Sequence, residues 1–448
     1  MTLVTERPQA PHPGDSRHPL RAEVVRGFGP WAGAAVLLTL AVALAANARQ
    51  WQGGWAETRE QLHTAATLLG APLALAAGCW HGGRERRRRT EELMATAARA
   101  PLARLLASAL PLVLWVLAGY AVVVALAWLA TWYCSMGDSP YPVAVLTDAV
   151  VLASAVLAGH VVGRLVSWRL AAPLLAVGAY AVLGVLSYDG QDALGHLSPV
   201  VDGMTDDVPV WWQPLAMTVW TGGLAVAALL AHAAHRRRFA VLPLAAAVAA
   251  GALLVQTGNA GLWHTSAVAG RQVCDTSTTP QICVNARYGD LLPQVTDALS
   301  GLTGRLEGVR NLPVRFEDLP GGSRPDEAQL PMLAPIGRSV VRGELTEPRR
   351  YAWEAGMALY GRAYCSVEED RRWDPVDSAV EHYLAPAPEE AYFDEQFAEG
   401  SGADRARLRD RLAARARLEA MGEEERRAWL SEYFATADRC DGRGVPTL

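Results

Sequence analysis

The chain contains no lysine; every basic side chain other than histidine is an arginine. The phosphate-cradling loop G-x-x-x-x-G-K-[ST] needs a lysine to reach the terminal phosphates, so no such loop exists here. Any ATP-driven work would draw on nucleotide sites in another polypeptide. The H-E-x-x-H motif, which holds zinc on one helix face and activates water, is also missing. The C-terminal part has no G-x-S-x-G elbow, which removes a starting point for acyl transfer. Cysteine is scarce, at six of 448 residues, and no C-x-x-C pair suggests structural zinc. No enzyme activity, cofactor or metal is expected of this chain, and a net charge of −5 gives no pointer to nucleic acid.

Apolar residues make up 51% of the chain and concentrate before about residue 256, in stretches near the ~20 residues that cross a bilayer. The stretches are Trp31–Ala46, Ala65–Trp80, Leu105–Trp132, Val143–Val162, Leu170–Leu186, Val210–Ala231 and Phe239–Val255. Charge placement gives one orientation. Arg7, Arg17, Arg21 and Arg26, then Arg84 to Arg104, Arg164 and Arg169, and Arg236 to Arg238 fall on one side. The other side holds only Arg49 and Arg59 with Asp138, Asp189, Asp192, Asp202, Asp206 and Asp207. The arginine-rich side is cytoplasmic by the positive-inside bias, and an odd number of spans places everything after Gly258 outside. Trp51, Trp55, Trp132, Tyr133, Trp211 and Trp212 stand where interfacial anchors belong.

The expected fold is an all-α polytopic protein of the cell membrane, with about seven transmembrane helices, followed by an α-rich extracytoplasmic domain with minor β structure. Residues 1–20, rich in Pro, His and Arg, read as a disordered cytoplasmic leader, 21–256 as the membrane part and 257–448 as the soluble domain. Within that domain Leu292, Val295, Leu299, Leu302 and Leu306 predict a helix capped by Asp290 and stopped by Gly308. Leu312, Val314 and Phe316 alternate as in a strand, and Trp353, Met357, Tyr360 and Tyr364 share a helix face. Arg405 to Met421 and Glu424 to Ala435 read as two charged surface helices joined near Gly422. Cys274, Cys283, Cys365 and Cys440 lie where disulfides persist; three pairings are open, one of which closes a short loop between Cys274 and Cys283.

Three features concern function. Asp148 and His160 fall inside the fourth apolar stretch; ionisable groups at such depth face a cavity or a partner, although Asp148 lies near enough to the boundary at Tyr141 to reach water. Gly119 and Gly178 suit close helix packing rather than a site. His232 and His235, one turn apart without a carboxylate, read as interfacial residues, and the acidic stretch Asp189–Asp207 as solvated charge. The third feature is Arg84 to Thr96, a charge run wedged between two apolar stretches. Thr90 can cap a helix, Glu91 and Glu92 suit its first turn, and Leu93, Met94 and Ala97 form a small apolar face ended by Pro101.

Glu85 to Thr96 resembles the segment joining the second and third spans of ABC-2 type transporter permeases, roughly E-x-x-x-G-T-x-E-L, which forms the coupling helix that docks on the ATPase subunit. Thr90, Glu92 and Leu93 fall on the shared positions, whereas Arg89 replaces the usual Gly and Ala97 stands where Pro is common. The resemblance covers the motif and the spans around it, about half the chain. It implies an exporter's membrane subunit, working with an ABC ATPase subunit and a second copy or a paralogous permease in the lipid bilayer. The ATPase would dock on Arg88, Arg89, Thr90, Glu91, Glu92, Leu93 and Met94. The seventh span and the large outer domain depart from the simplest six-span pattern. A non-transporting anchor whose outer domain binds a ligand is the rival expectation; a membrane enzyme acting on lipid or cell-wall precursors is a third.

Overall fold

A backbone that has no water to bond must satisfy itself internally, so long uncharged runs fold as helices. In the computed structural model, which describes residues 27–87, 100–166, 168–188, 194–234, 236–337, 339–360, 374–437, 439 and 443–448, six helices are long and apolar enough to cross a membrane. They are α1 (Gly29–Ala46), α2 (Trp55–Gly82), α3 (Pro101–Trp132), α4 (Pro142–Leu165) and, after the shorter apolar helix α5 (Ala171–Tyr188), α6 (Gln213–Ala233) and the stretch Arg237–Thr257 that contains α7 (Val241–Thr257). Proline opens α1, α3, α4 and α6, at a position where its missing N–H leaves no helical bond unmade. The helices turn aliphatic residues outward: Leu38, Val42, Leu114 and Leu146 are 58–68% exposed. Water would penalise that surface and lipid would not.

Glycines set how closely the helices approach. A Cβ on Gly33 would stand 2.4 Å from the carbonyl oxygen of Trp115, and one on Gly119 2.4 Å from that of Gly33, so α1 and α3 touch backbone to backbone. The seam between α2 and α4 is longer. There Gly78, Gly82, Gly159 and Gly163 each face a carbonyl of the other helix at 2.0–2.2 Å from where a Cβ would lie. Gly178 on α5 has nothing within 4 Å among the described residues and packs no helix there.

α2 begins ten residues earlier than the apolar stretch that announced it. Its polar first turns, Trp55–Thr64, run without a break into a π-helical segment, Ala65–Gly70, and then into Ala71–Gly82. Trp51 and Trp55 are accordingly not lipid anchors. Both are buried, and their indoles donate to the Leu44 carbonyl (2.9 Å) and the Ser135 hydroxyl (3.1 Å). Trp132, Tyr133 and Trp211 are 74–94% exposed, as anchors would be.

Two strands clasp the bundle to the C-terminal domain. β1 (Asp207–Pro209), in the connection between α5 and α6, pairs antiparallel with β2 (Trp263–Thr265), just beyond α7. A mixed four-stranded sheet then runs in the order β3 (Gln272–Asp275), β4 (Gln281–Asn285), β5 (Arg315–Glu317) and β6 (Glu327–Gln329), with β3 and β4 antiparallel and the rest parallel. Cys274 and Cys283 are directly opposed in the β3–β4 hairpin and form a disulfide. Cys365 and Cys440 lie outside the described residues, as does Tyr364.

Helices cover this sheet: α8 (Leu292–Arg305), α9 (Pro348–Met357), which follows the short β7 (Val340–Val341) and β8 (Glu344–Leu345), then α10 (Asp374–Leu384), α11 (Glu390–Glu399), α12 (Gly402–Ala420) and α13 (Glu423–Phe434). Val295, Leu299 and Leu302 of α8 meet Ile282, Phe316, Tyr351 and Leu418 in a second hydrophobic core, distinct from that of the bundle. The capping residue of α8 is Leu291, not Asp290, because the turn before it, Ala286–Leu291, is already 3-10 helical. α13 is no mere surface helix: Trp429, Leu430, Tyr433 and Phe434 are buried. Met136, from the connection between α3 and α4, inserts into this second core and ties the two cores together.

Candidate functional site

The arginine-bearing end of the bundle is built where α2, α3, α4 and α6 come together. Leu105 and Ala109 of α3 pack with Val161 of α4 and with Leu229 and Ala233 of α6. Arg86 donates to the Leu165 carbonyl (3.0 Å), Arg87 donates to that of Trp80 and lies 4.4 Å over its ring, and Arg86, Arg164 and Arg237 all act electrostatically on His232. His160 is buried here; its Nε2 is 3.1 Å from the Ser108 hydroxyl, and its ring is 5.6 Å from that of His81. The expected docking residues Arg88, Arg89, Thr90, Glu91, Glu92, Leu93 and Met94 lie outside the described residues, and so does His235.

At the opposite end, three helices bring polar side chains to one point. Asp148 of α4 is 1% exposed. One carboxylate oxygen is 2.7 Å from Nδ1 of His63 on α2, and the other accepts from the Tyr120 hydroxyl of α3 at 2.9 Å. A carboxylate cannot stay charged in such surroundings without partners of this kind. Of the two surroundings open to Asp148 in the sequence, water or partners, the fold supplies partners. Nothing local in the sequence singles out His63 or Tyr120. His63 falls before the apolar stretch that marked α2, and a lone tyrosine among leucines and valines has no local signature. A signal did exist: Glu57, Glu60, His63 and Thr67 recur at helical spacing and carry the helix into the bundle.

Cavities surround this triad. One of about 40 Å³ is lined by His63, Arg59, Tyr141, Thr147, Asp202 and Gln213 among others. A smaller one, of about 10 Å³, touches Asp148 itself. A larger one, of about 170 Å³, reaches Asp138, Asp206 and Arg287. Arg59 and Tyr141 line all three. Arg59 is buried within α2 rather than lying in a solvated connection. It donates to the Asp207 carbonyl at 2.9 Å and stands 3.9 Å from the Asp202 carboxylate.

The largest of these three cavities ends on the junction with the C-terminal domain. Arg287, just after β4 and 3% exposed, donates to the Glu57 carboxylate at 2.7 Å, pairs with Asp206 and lies 3.8 Å from Asp138. The Tyr288 hydroxyl also donates to Glu57, at 2.8 Å. Burial works against the guanidinium's charge, yet the carboxylates of Glu57, Asp206 and Asp138 outweigh it and hold Arg287 protonated more firmly than usual. Burial raises Asp138 above the ordinary carboxylate range. The acidic connection is therefore only partly solvated: Asp202 and Asp206 are partners of buried arginines. Among the described residues no group of three or more His, Cys, Asp or Glu side chains is arranged to hold a metal ion.

Fold and site thus define a helical protein whose bundle has membrane-spanning dimensions and carries a buried polar cluster beneath a second, folded unit. No family model, no curated protein and no solved structure matches the chain.

Proposed function

We propose that this chain is the membrane-spanning subunit of an ABC transporter, an exporter of the ABC-2 permease type, whose separate ATPase subunit docks on the segment 86–100. The observation that carries the reading is the gathering of Arg86, Arg87, Arg164 and Arg237 at one end of the bundle, where α2 stops and α3 starts. The connector with the coupling-helix pattern joins two spans at that end, which is where a water-soluble motor can reach it. A chain without lysine leaves nucleotide binding to the partner.

In this reading α5 also crosses, which brings the number of crossings to seven. Its support is connectivity: α4 ends at Leu165 beside Arg86, and by Asp202 the chain is back at the end where Arg59 lies. Seven crossings with the arginines inside leave the C-terminal domain outside. Purification in mild detergent tests the assignment. An ATPase subunit should accompany the chain, and replacing Glu92 and Leu93 with alanine should uncouple ATP hydrolysis while the protein stays in the membrane. Normal transport and normal ATPase stimulation in that double variant would count against it. One observation favours a second reading, a membrane-anchored binding protein: the cavity of about 170 Å³ at the domain junction, lined by Trp55, Tyr141, Arg59 and Arg287. Such a protein would purify without an ATPase.

A further inference from the structure

We propose that His63, Asp148 and Tyr120 form a proton-binding site inside the bundle, exchanging with the side of the membrane that carries the C-terminal domain. The inference stands on this cluster and its cavities, and it holds whether or not an ATPase docks at the far end.

Charge balance is the first argument. Tyr120 and Asp148 are 2% and 1% exposed, and the side chain of His63 13%. Three protonation forms must be compared. A neutral imidazole beside a carboxylate leaves one net negative charge in an apolar interior, which is costly. One added proton gives imidazolium with carboxylate, or imidazole with carboxylic acid, and both are neutral overall. The cluster therefore gains a proton at little cost and gives it up only when another cation offsets the remaining charge.

The groups facing the pair are few. α2 contributes Arg59, one turn before His63; α3 contributes Tyr120; α4 contributes Asp148 and Thr147. Tyr141 is the residue just before α4, Asp202 comes from the connection before α6, and Gln213 from α6 itself. Among the described residues, Arg59 is the only arginine lining the two cavities that touch His63 and Asp148. Its Nη2 donates to the Asp207 carbonyl at 2.9 Å, but its ion pair with Asp202 is long, at 3.9 Å. Its charge can lean toward Asp148 when the proton leaves and back toward Asp202 when it returns.

Both a route for the proton and an atom to receive it are present. His63 Nδ1 is committed to Asp148 at 2.7 Å, whereas Nε2 is buried without a protein partner among the described residues, in a side chain that lines the cavity of about 40 Å³. That cavity shares Arg59 and Tyr141 with the one of about 170 Å³ at the domain junction. Both exceed the roughly 10–15 Å³ that a single water requires. In the binding step a hydronium ion delivered along this route gives its proton to the Nε2 lone pair. It leaves as water, and the ring becomes imidazolium with its Nδ1–H still donated to Asp148. Release is the reverse.

The test is nitrogen magnetic resonance of the full chain, labelled with ¹⁵N-histidine, in vesicles with the pH of each side set separately between about pH 5 and about pH 10. The variant H63Q assigns the signal by deleting it. The Nε2 resonance of His63 should change protonation state with the pH on the side of the C-terminal domain. D148N should lower the midpoint by about one pH unit or more, a tenfold loss in proton affinity. Y120F removes a donor that favours the charged carboxylate, so it should move the midpoint the other way. A purely structural cluster would not give shifts of opposite sign. A His63 signal that is constant over the whole range, or that follows only the pH of the opposite side, overturns the proposal, and the unmodified protein suffices to show either result should the variants fail to assemble.

Discussion

Arg287 gathers three carboxylates on one buried guanidinium. Its partners come from three separate stretches of chain, Glu57 being 230 residues away. Replacing it with alanine leaves buried Glu57 without its ion-pair partner, beside Asp206 and Asp138. A broken buried ion pair costs about 3–5 kcal/mol. The variant should therefore lower the denaturant midpoint of the detergent-solubilised chain by an amount of that order. An unchanged midpoint would mean that water reaches the cluster freely. Asp318 offers a pH-dependent counterpart. Burial pushes its carboxyl up to about 6, against a weak donation from the Asn285 amide at 3.4 Å. Here the folded state holds the proton more tightly than the unfolded one, so stability is highest below about pH 4 and declines as pH rises through about 6. D318N should match the native protein near pH 4 and exceed it near pH 7, by at most about 3 kcal/mol. Thermal unfolding across that pH range measures the difference. At this scale the sequence is only partly legible. Asp148 declares itself by standing in an apolar run, but Glu57, His63 and Arg287 look like ordinary polar residues of loops and helix ends. What makes them a site is long-range pairing, which no local pattern encodes.

Among the elements, helix seams and the hairpin make contrasting predictions. A Cβ at Gly159 would fall 2.0 Å from the Leu75 carbonyl, so G159I has to force α2 and α4 apart. Overpacking of this kind costs about 1–3 kcal/mol or more. It should appear as a lower unfolding temperature or loss of the folded protein, whereas G178A, with nothing within 4 Å among the described residues, should leave stability unchanged or raise it by up to about 1 kcal/mol. In the hairpin, the disulfide closes a loop across a separation of nine residues. Chain-entropy reasoning for so short a loop gives about 2–3 kcal/mol, the drop expected for the C-terminal domain in a C274S/C283S double variant. Apolar runs revealed each bundle helix because lipid-like helices need no alternation to be recognised. The one serious boundary error, at α2, has a physical cause. Its first ten residues are polar because they face a buried, charged junction, and hydropathy cannot register a helix that continues for that reason.

For the molecule as a whole, orientation is the claim that can be checked most directly. Single cysteines at Arg86 and at Ser277, introduced with Cys79, Cys134, Cys365 and Cys440 all replaced, should react with impermeant maleimide from opposite faces of the membrane. Reaction of both from one face would discard the seven-crossing arrangement. Composition changes sharply near residue 256, which is how the sequence marks off the apolar bundle from the less apolar remainder. It did not disclose that the two are stitched together by the β1–β2 ribbon, by Met136 in the second core and by Arg287 on Glu57.

That stitching bears on biogenesis. A ribosome delivers Glu57, Asp138 and Asp206 well before it delivers Arg287, so the nascent bundle waits with a surplus of acid at its rim until the later half has folded. The C-terminal domain is then less a passenger than a keystone, and a chain cut short near residue 256 should be cleared by quality-control proteases rather than persist as a smaller working protein.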